Sequence, residues 1–157
     1  MDEWYKGAYY DPNKAGGAGY WNFPTSSDNR PTPTVSGTLL NTAVWGHYWE
    51  QGPADVTDAG GVSAYGTTAQ GGNVWEWNEN AFDLSNDSSG EIRELRGGSW
   101  DNSSDPMGNS FRSSYDPAGM YYDTAGFRIA SVPEPSSLSL LLAGGLVLMA
   151  GRRKKKD

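Results

Sequence analysis

Residues 71–78, Gly-Gly-Asn-Val-Trp-Glu-Trp-Asn, set one carboxylate between two tryptophans directly after a pair of glycines. On a strand, Trp75 and Trp77 share one face, and Val74 and Glu76 share the other. A carboxylate held among tryptophans needs an arginine, backbone N–H groups or a cation as its partner. Two later blocks could supply an arginine: Arg96-Gly97-Gly98-Ser99-Trp100 and Gly126-Phe127-Arg128. Other chemistry is narrowed by what the chain lacks. It has no cysteine, so neither a disulfide nor a thiol nucleophile is available. His47 is the only histidine. It cannot by itself build a multi-histidine metal centre, and it reads as an ordinary polar or partly buried side chain.

The elements that must position Glu76 are short. Val74 and Trp75 favour a strand, and the glycines before them favour a tight backbone entry. Trp4, Tyr5, Ala8 and Tyr9 recur at helical spacing, so residues 1–10 read as the last turns of an amphipathic helix. Residues 11–66 are rich in turn formers, with Tyr20, Trp21, Phe23, Trp45, Tyr48 and Trp49 as anchors. The alternation over 91–96 predicts a strand leading into Gly97-Gly98. Short strands are also expected at Phe111-Arg112 and over 126–130, with loops over 83–90, 101–110 and 113–125. With 21 glycines, 13% aromatics and seven tryptophans, the expected class is an irregular, loop-rich α+β domain with an aromatic core.

Charge divides the chain in two. Five of the 12 positive residues lie at 152–156, and two of the 19 negative ones are Glu134 and Asp157. Residues 1–131 therefore carry 7 positives against 17 negatives, a field that excludes general binding to nucleic acid. Beyond Val132 the composition changes. Pro133-Glu134-Pro135 stops a strand, and the next sixteen residues, 136–151, carry no charge. As a helix they would span about 24 Å, slightly short of a hydrocarbon core of about 30 Å. The basic cluster 152–156 then keeps the chain end cytoplasmic and the body outside. The expected organisation is a domain over 1–131 and a tail over 132–157. The tail divides into a Pro-Glu-Pro segment (132–137), a membrane helix (138–151) and a basic end (152–157).

Three blocks in order resemble the C-terminal half of the formylglycine-generating enzyme (sulfatase-modifying factor) family. They are Gly-Asn-Val-Trp-Glu-Trp at 72–77, Arg-Gly-Gly-Ser-Trp at 96–100 and Gly-Phe-Arg at 126–128, with Arg112 between the last two. The resemblance covers residues 3 to 130 and implies an irregular fold related to C-type lectins. It marks Asn73, Trp75, Trp77, Arg96, Gly97, Gly98, Ser99, Trp100, Arg112, Gly126, Phe127 and Arg128 as motif residues. Val-Pro-Glu-Pro-Ser followed by an apolar stretch and a basic end closely resembles the PEP-CTERM sorting signal of Gram-negative bacteria. That resemblance implies export, recognition by an exosortase, cleavage near Pro133-Glu134-Pro135, and residence at the cell surface or in the extracellular matrix.

The family's enzymes oxidise a cysteine with two active-site cysteines that hold copper. The first of these falls three residues beyond the serine, which here is Asn102, and the following loop also lacks cysteine. An amide is neither a nucleophile nor a ligand for Cu(I), so no copper is expected. Family resemblance also implies structural calcium, held by the carbonyls of Gly72 and Val74, the Glu76 carboxylate and a side chain three residues before Gly72. That last position is Ala69, which offers no side-chain oxygen, while calcium takes six to eight oxygens. The alternative for Glu76 is a buried ion pair with Arg96 or Arg128. Asn73 is expected to hold the turn. Asn102, Tyr115, Tyr121 and Tyr122, on the loops beside Asp101, are the candidate ligand-binding residues, with a polysaccharide or a protein as the partner.

No leader segment is visible at the start of the chain, and the family domain carries about as much sequence again before the first helix. Residues 1–157 are therefore expected to be the C-terminal part of a longer product. The leading expectation is a non-catalytic binding or structural module. The alternative is part of an iron-dependent oxidase whose histidine ligands lie upstream.

Overall fold

The computed structural model describes residues 3–119 and 123–129. Helix α1 (Glu3–Tyr9) opens the chain and is followed by the short antiparallel pair β1 (Tyr10–Asp11) and β2 (Gly19–Tyr20). A parallel pair, β3 (Thr32–Pro33) and β4 (Thr42–Ala43), comes next. The main sheet is built from β5 (Trp75–Ala81), β6 (Arg93–Arg96), β7 (Ser113–Tyr115) and β8 (Ala125–Gly126), in the order β7-β6-β5-β8. Three single turns of 3-10 helix, Trp49–Gln51, Val56–Asp58 and Asp105–Met107, interrupt the loops. One helix, small sheets and long irregular connections agree with the expected loop-rich α+β class.

β5 is antiparallel to β6, with Glu76 opposite Arg96 and Trp77 opposite Leu95, and the register shifts between Trp77 and Ala81. β8 runs parallel to β5 on its other side and places Gly126 opposite Glu76. Along β5 the alternation is as expected from a period of two: Glu76 and Asn78 are buried, while Trp75 and Trp77 are partly exposed. Helix α1 buries Trp4, Ala8 and Tyr9. The Tyr9 hydroxyl donates to the Met107 carbonyl at 3.1 Å, which ties the helix to the third 3-10 turn. A second apolar cluster gathers Val44, Ala59, Ala69 and Trp100.

The two clusters are joined through backbone packed too closely for side chains. Gly72 has φ +69°, and a Cβ there would collide with the Val44 carbonyl, at 2.9 Å from its carbon. The neighbouring N–H groups exploit that approach: Asn73 N donates to Val44 O at 2.8 Å and Gly72 N to Gly97 O at 2.8 Å. Asn73 itself takes a left-handed φ of +63°, which asparagine tolerates better than most residues. Its side-chain oxygen accepts from Ala54 N at 2.8 Å, so it ties this turn to the chain at residue 54.

Three expectations differ from the structure. The strand predicted at Phe111-Arg112 begins instead at Ser113, opposite Leu95. The reason is that Phe111 presents its carbonyl to Arg96 Nη1 at 3.0 Å and so leaves the strand ladder. The closing strand predicted over 126–130 pairs only at Ala125–Gly126, after which Phe127 and Ile129 point into solvent, 74% and 88% exposed. The paired segments β1-β2 and β3-β4 lie where turns alone were expected. Among the described residues no helix is long and apolar enough to cross a membrane. The predicted membrane helix, 138–151, lies outside those residues, as do Tyr121, Tyr122 and the Pro133-Glu134-Pro135 segment.

The Gly72 contact yields a test. Gly72→Ala combines left-handed strain with overlap on rigid backbone and should lower stability by about 3 kcal/mol. Gly16→Ala, at φ +94° with nothing within 4 Å, should cost only about 1 kcal/mol. Urea unfolding of the two variants measures the difference.

Candidate functional site

Three elements converge on Glu76. Its Oε2 accepts from Trp4 Nε1 on α1 and from Arg128 Nε beyond β8, and its Oε1 accepts from Arg128 Nη2. Arg128 Nη2 also donates to the Thr68 carbonyl at 3.0 Å. The Glu76 side chain is only 6% exposed and that of Arg128 28% exposed. A buried carboxylate is tolerated when each oxygen has a charged or N–H donor, and here both do. Of the two arginines considered for this role, Arg128 fills it.

Arg96 serves a second acidic centre. Its Nε lies 2.6 Å from Glu94 Oε1 as an ion pair, away from a hydrogen-bonding angle. Arg112 Nε donates to the same oxygen at 2.8 Å. Glu94 is almost fully buried. The arginines also bind backbone: Arg96 Nη1 reaches Phe111 O, and Arg112 Nη2 reaches Phe82 O at 2.8 Å. The Arg96 guanidinium lies 4.9 Å from the centre of the Tyr5 ring, a cation–π contact to α1. Beside this network opens a cleft of about 680 Å³, whose lining includes Glu3, Tyr5, Glu79, Asn80 and Arg112. In this arrangement Arg96, Arg112 and Arg128 satisfy carboxylates and carbonyls of an irregular fold.

The second half of the site is the turn after β6. Gly97 and Gly98, at φ +93° and +75°, bring Ser99 and Trp100 back into the core. Ser99 is fully buried, and its hydroxyl lies 2.8 Å from Asn102 Oδ1 and 2.5 Å from Asp101 Oδ1. Asn102 Oδ1 accepts from Ser99 N as well, at 3.1 Å. Asn102 therefore closes the turn through its amide oxygen. Trp100 N donates to Asn73 O, and the neighbouring chain is drawn in by His47 N to Trp100 O and Gly46 N to Asn102 O.

The candidate binding residues do not all share this place. Asn102 follows the end of β6, whereas Tyr115 stands on β7 opposite Arg93, at the start of β6. No sequence pattern pointed to Glu94 as a two-arginine centre, to the Trp4 indole on Glu76, or to Trp49 beside Trp100. The backbone bonds that carry residues 46–49 to the turn leave no sequence pattern.

Calcium can be weighed against this geometry. Glu76 is the only charged donor in the set Gly72, Val74 and Glu76, and both its oxygens are engaged by Arg128, with Trp4 on one of them. Among the described residues no group of three or more His, Asp or Glu side chains converges as metal ligands. With Ala69 contributing no oxygen, these residues do not fit a calcium ion while Arg128 is in place. Arg128→Ala should lower stability by about 3 kcal/mol, because it leaves Glu76 buried without a counter-charge. The melting temperature of the unaltered protein should be the same in EDTA and in calcium. Thermal unfolding by near-ultraviolet circular dichroism checks both.

A search of the curated proteins finds no match. The family model of the sulfatase-modifying factor enzyme 1-like domain matches residues 3–132, and that of the PEP-CTERM protein-sorting motif matches residues 131–155. The second match marks an exported protein directed to the cell envelope of Gram-negative bacteria by exosortase-related sorting. The first spans the Glu76–Arg128 pair, the Gly97-Gly98 turn and nearly everything else described above, and the chain belongs to the sulfatase-modifying factor enzyme 1-like family.

Proposed function

We propose that this protein is a surface- or matrix-associated member of its family that binds or scaffolds and does not catalyse formylglycine formation. The observation that carries this reading is Asn102. The position aligned with the first catalytic cysteine holds an amide, and the amide is committed to the Ser99 turn. Neither a thiolate nor a Cu(I) ligand can arise there. What remains is a rigid base, made by the β5–β6 sheet and its buried ion pairs, that presents irregular loops in the manner of a C-type lectin. Loops held on such a base are the usual carriers of binding. The tail supplies delivery: exosortase recognition at Pro133-Glu134-Pro135, with the uncharged stretch 138–151 holding the body on the exported side of the membrane until cleavage.

Two measurements on the full-length chain test this. Incubation with a cysteine-containing sulfatase-type peptide, copper and oxygen should give no formylglycine by mass spectrometry; its formation would overturn the reading. In a host with an exosortase, the protein should fractionate with the envelope or the medium. Replacing Pro133, Glu134 and Pro135 by alanine should block its processing, and cytosolic residence of the unaltered protein would refute export.

A further inference from the structure

Two of the most exposed aromatic side chains among the described residues are consecutive. Tyr48 is 81% exposed and Trp49 64% exposed. They do not sit on a free loop. Backbone bonds from Gly46 N to Asn102 O (2.9 Å) and from His47 N to Trp100 O (2.8 Å) fix the preceding residues against the Ser99 turn. The Gln51 side chain accepts from Tyr48 N at 2.9 Å and shapes the 3-10 turn that follows. The Trp49 ring lies 6.3 Å from that of Trp100, centre to centre. Trp100 is 2% exposed, so Trp49 meets the core at one side, in a tilted ring contact, and leaves most of its surface to water.

The polar groups around this shelf are incompletely used. Asp101 is exposed and gives only Oδ1 to Ser99, and Asn102 gives only its Oδ1. Trp100 Nε1 and His47 Nδ1 are buried without a hydrogen-bond partner among the described residues. Buried polar atoms in native proteins are normally paired, so an unpaired one calls for an explanation. An open aromatic face bordered by an available carboxylate oxygen and amide N–H groups suits a ring with apolar C–H faces and hydroxyl edges.

Charge narrows the class. No lysine or arginine stands between Arg30 and Arg93, while Glu50 directly follows Trp49 and Asp101 directly follows Trp100 in the chain. Phosphate groups, uronates and anionic lipid would be repelled. Residues 46–49 form no strand, so the shelf offers no open edge to which a peptide could add. We infer that the Tyr48–Trp49 shelf, with Asp101 and Asn102 at its edge, is a binding site for a neutral pyranose chain. This rests on the binding-module reading above and gives it a ligand class and a place.

The test uses the full-length chain in detergent on one array of neutral glycans, anionic alginate and unrelated peptides. Neutral glycans should be retained and alginate should not. Trp49→Ala should weaken retention about tenfold, the loss of one aromatic stacking partner, and Tyr48→Ala should weaken it less. Melting temperatures should stay within about 2 °C of the unaltered chain, since both residues are exposed. Ile92→Ala, exposed elsewhere, serves as the control. Glycan retention unaffected by Trp49→Ala overturns the shelf and leaves the binding module standing. Retention of peptides or alginate alone overturns the neutral saccharide. No retention of any class overturns the binding reading together with its site.

Discussion

The Glu76 carboxylate is the constraint on which the rest of the domain depends. It is buried, it sits on the central strand, and its three donors come from opposite ends of the described chain, Trp4 and Arg128. No local segment can satisfy it. The helix must approach β5 to bring the indole, and the chain must return beside β5 as β8 to bring the guanidinium. A charge left unpaired in that position would cost several kcal/mol, which is a large share of a small domain's total stability. The pair thus acts more through the topology it forbids than through any net energy it adds.

A second constraint follows from the small amount of regular structure. Short strands and irregular connections leave many carbonyl groups without ladder partners, and buried carbonyls must be paired. The arginines do this at a distance. Arg93 serves Glu79 O, Arg96 serves Phe111 O, Arg112 serves Phe82 O and Arg128 serves Thr68 O. Each also faces a carboxylate, so one side chain neutralises a buried charge and closes a loop. Glycine does the complementary work at Gly72, where the backbone approaches Val44 too closely for any Cβ. An aromatic core fits the same economy of chain: Trp4 and Tyr9 each bury a large surface and still offer a polar atom to a partner.

Sequence reasoning reached the parts governed by local pattern. The period of two along 75–78, the helical spacing of Trp4, Tyr5, Ala8 and Tyr9, and the strand before Gly97-Gly98 were all legible. So was the need of Glu76 for a partner. The choice of Arg128 over Arg96 was not, because it depends on β8 running parallel to β5, a pairing of two residues with no signature of its own. The same limit explains Phe111-Arg112, where strand-forming residues leave the ladder because a buried arginine claims a carbonyl. It also explains Tyr48 and Trp49. Their composition suggested core anchors, and only the bonds from residues 46 and 47 to the Ser99 turn show that their outer faces remain in water.

The Ser99 turn itself is held by Asn102. Its side-chain oxygen binds both the amide and the hydroxyl of Ser99, and its carbonyl accepts from Gly46. A thiol could neither accept as strongly nor span both Ser99 groups. Asn102 therefore closes the loop around Ser99, and Trp100 on that loop has its ring centre 6.3 Å from that of Trp49. Gly46 and His47 are fastened to this same turn, so the aromatic shelf inherits its rigidity. A pre-formed surface loses less conformational entropy on binding than a mobile one. The bonds that close the Ser99 turn thus also fasten the chain that carries the exposed Tyr48 and Trp49.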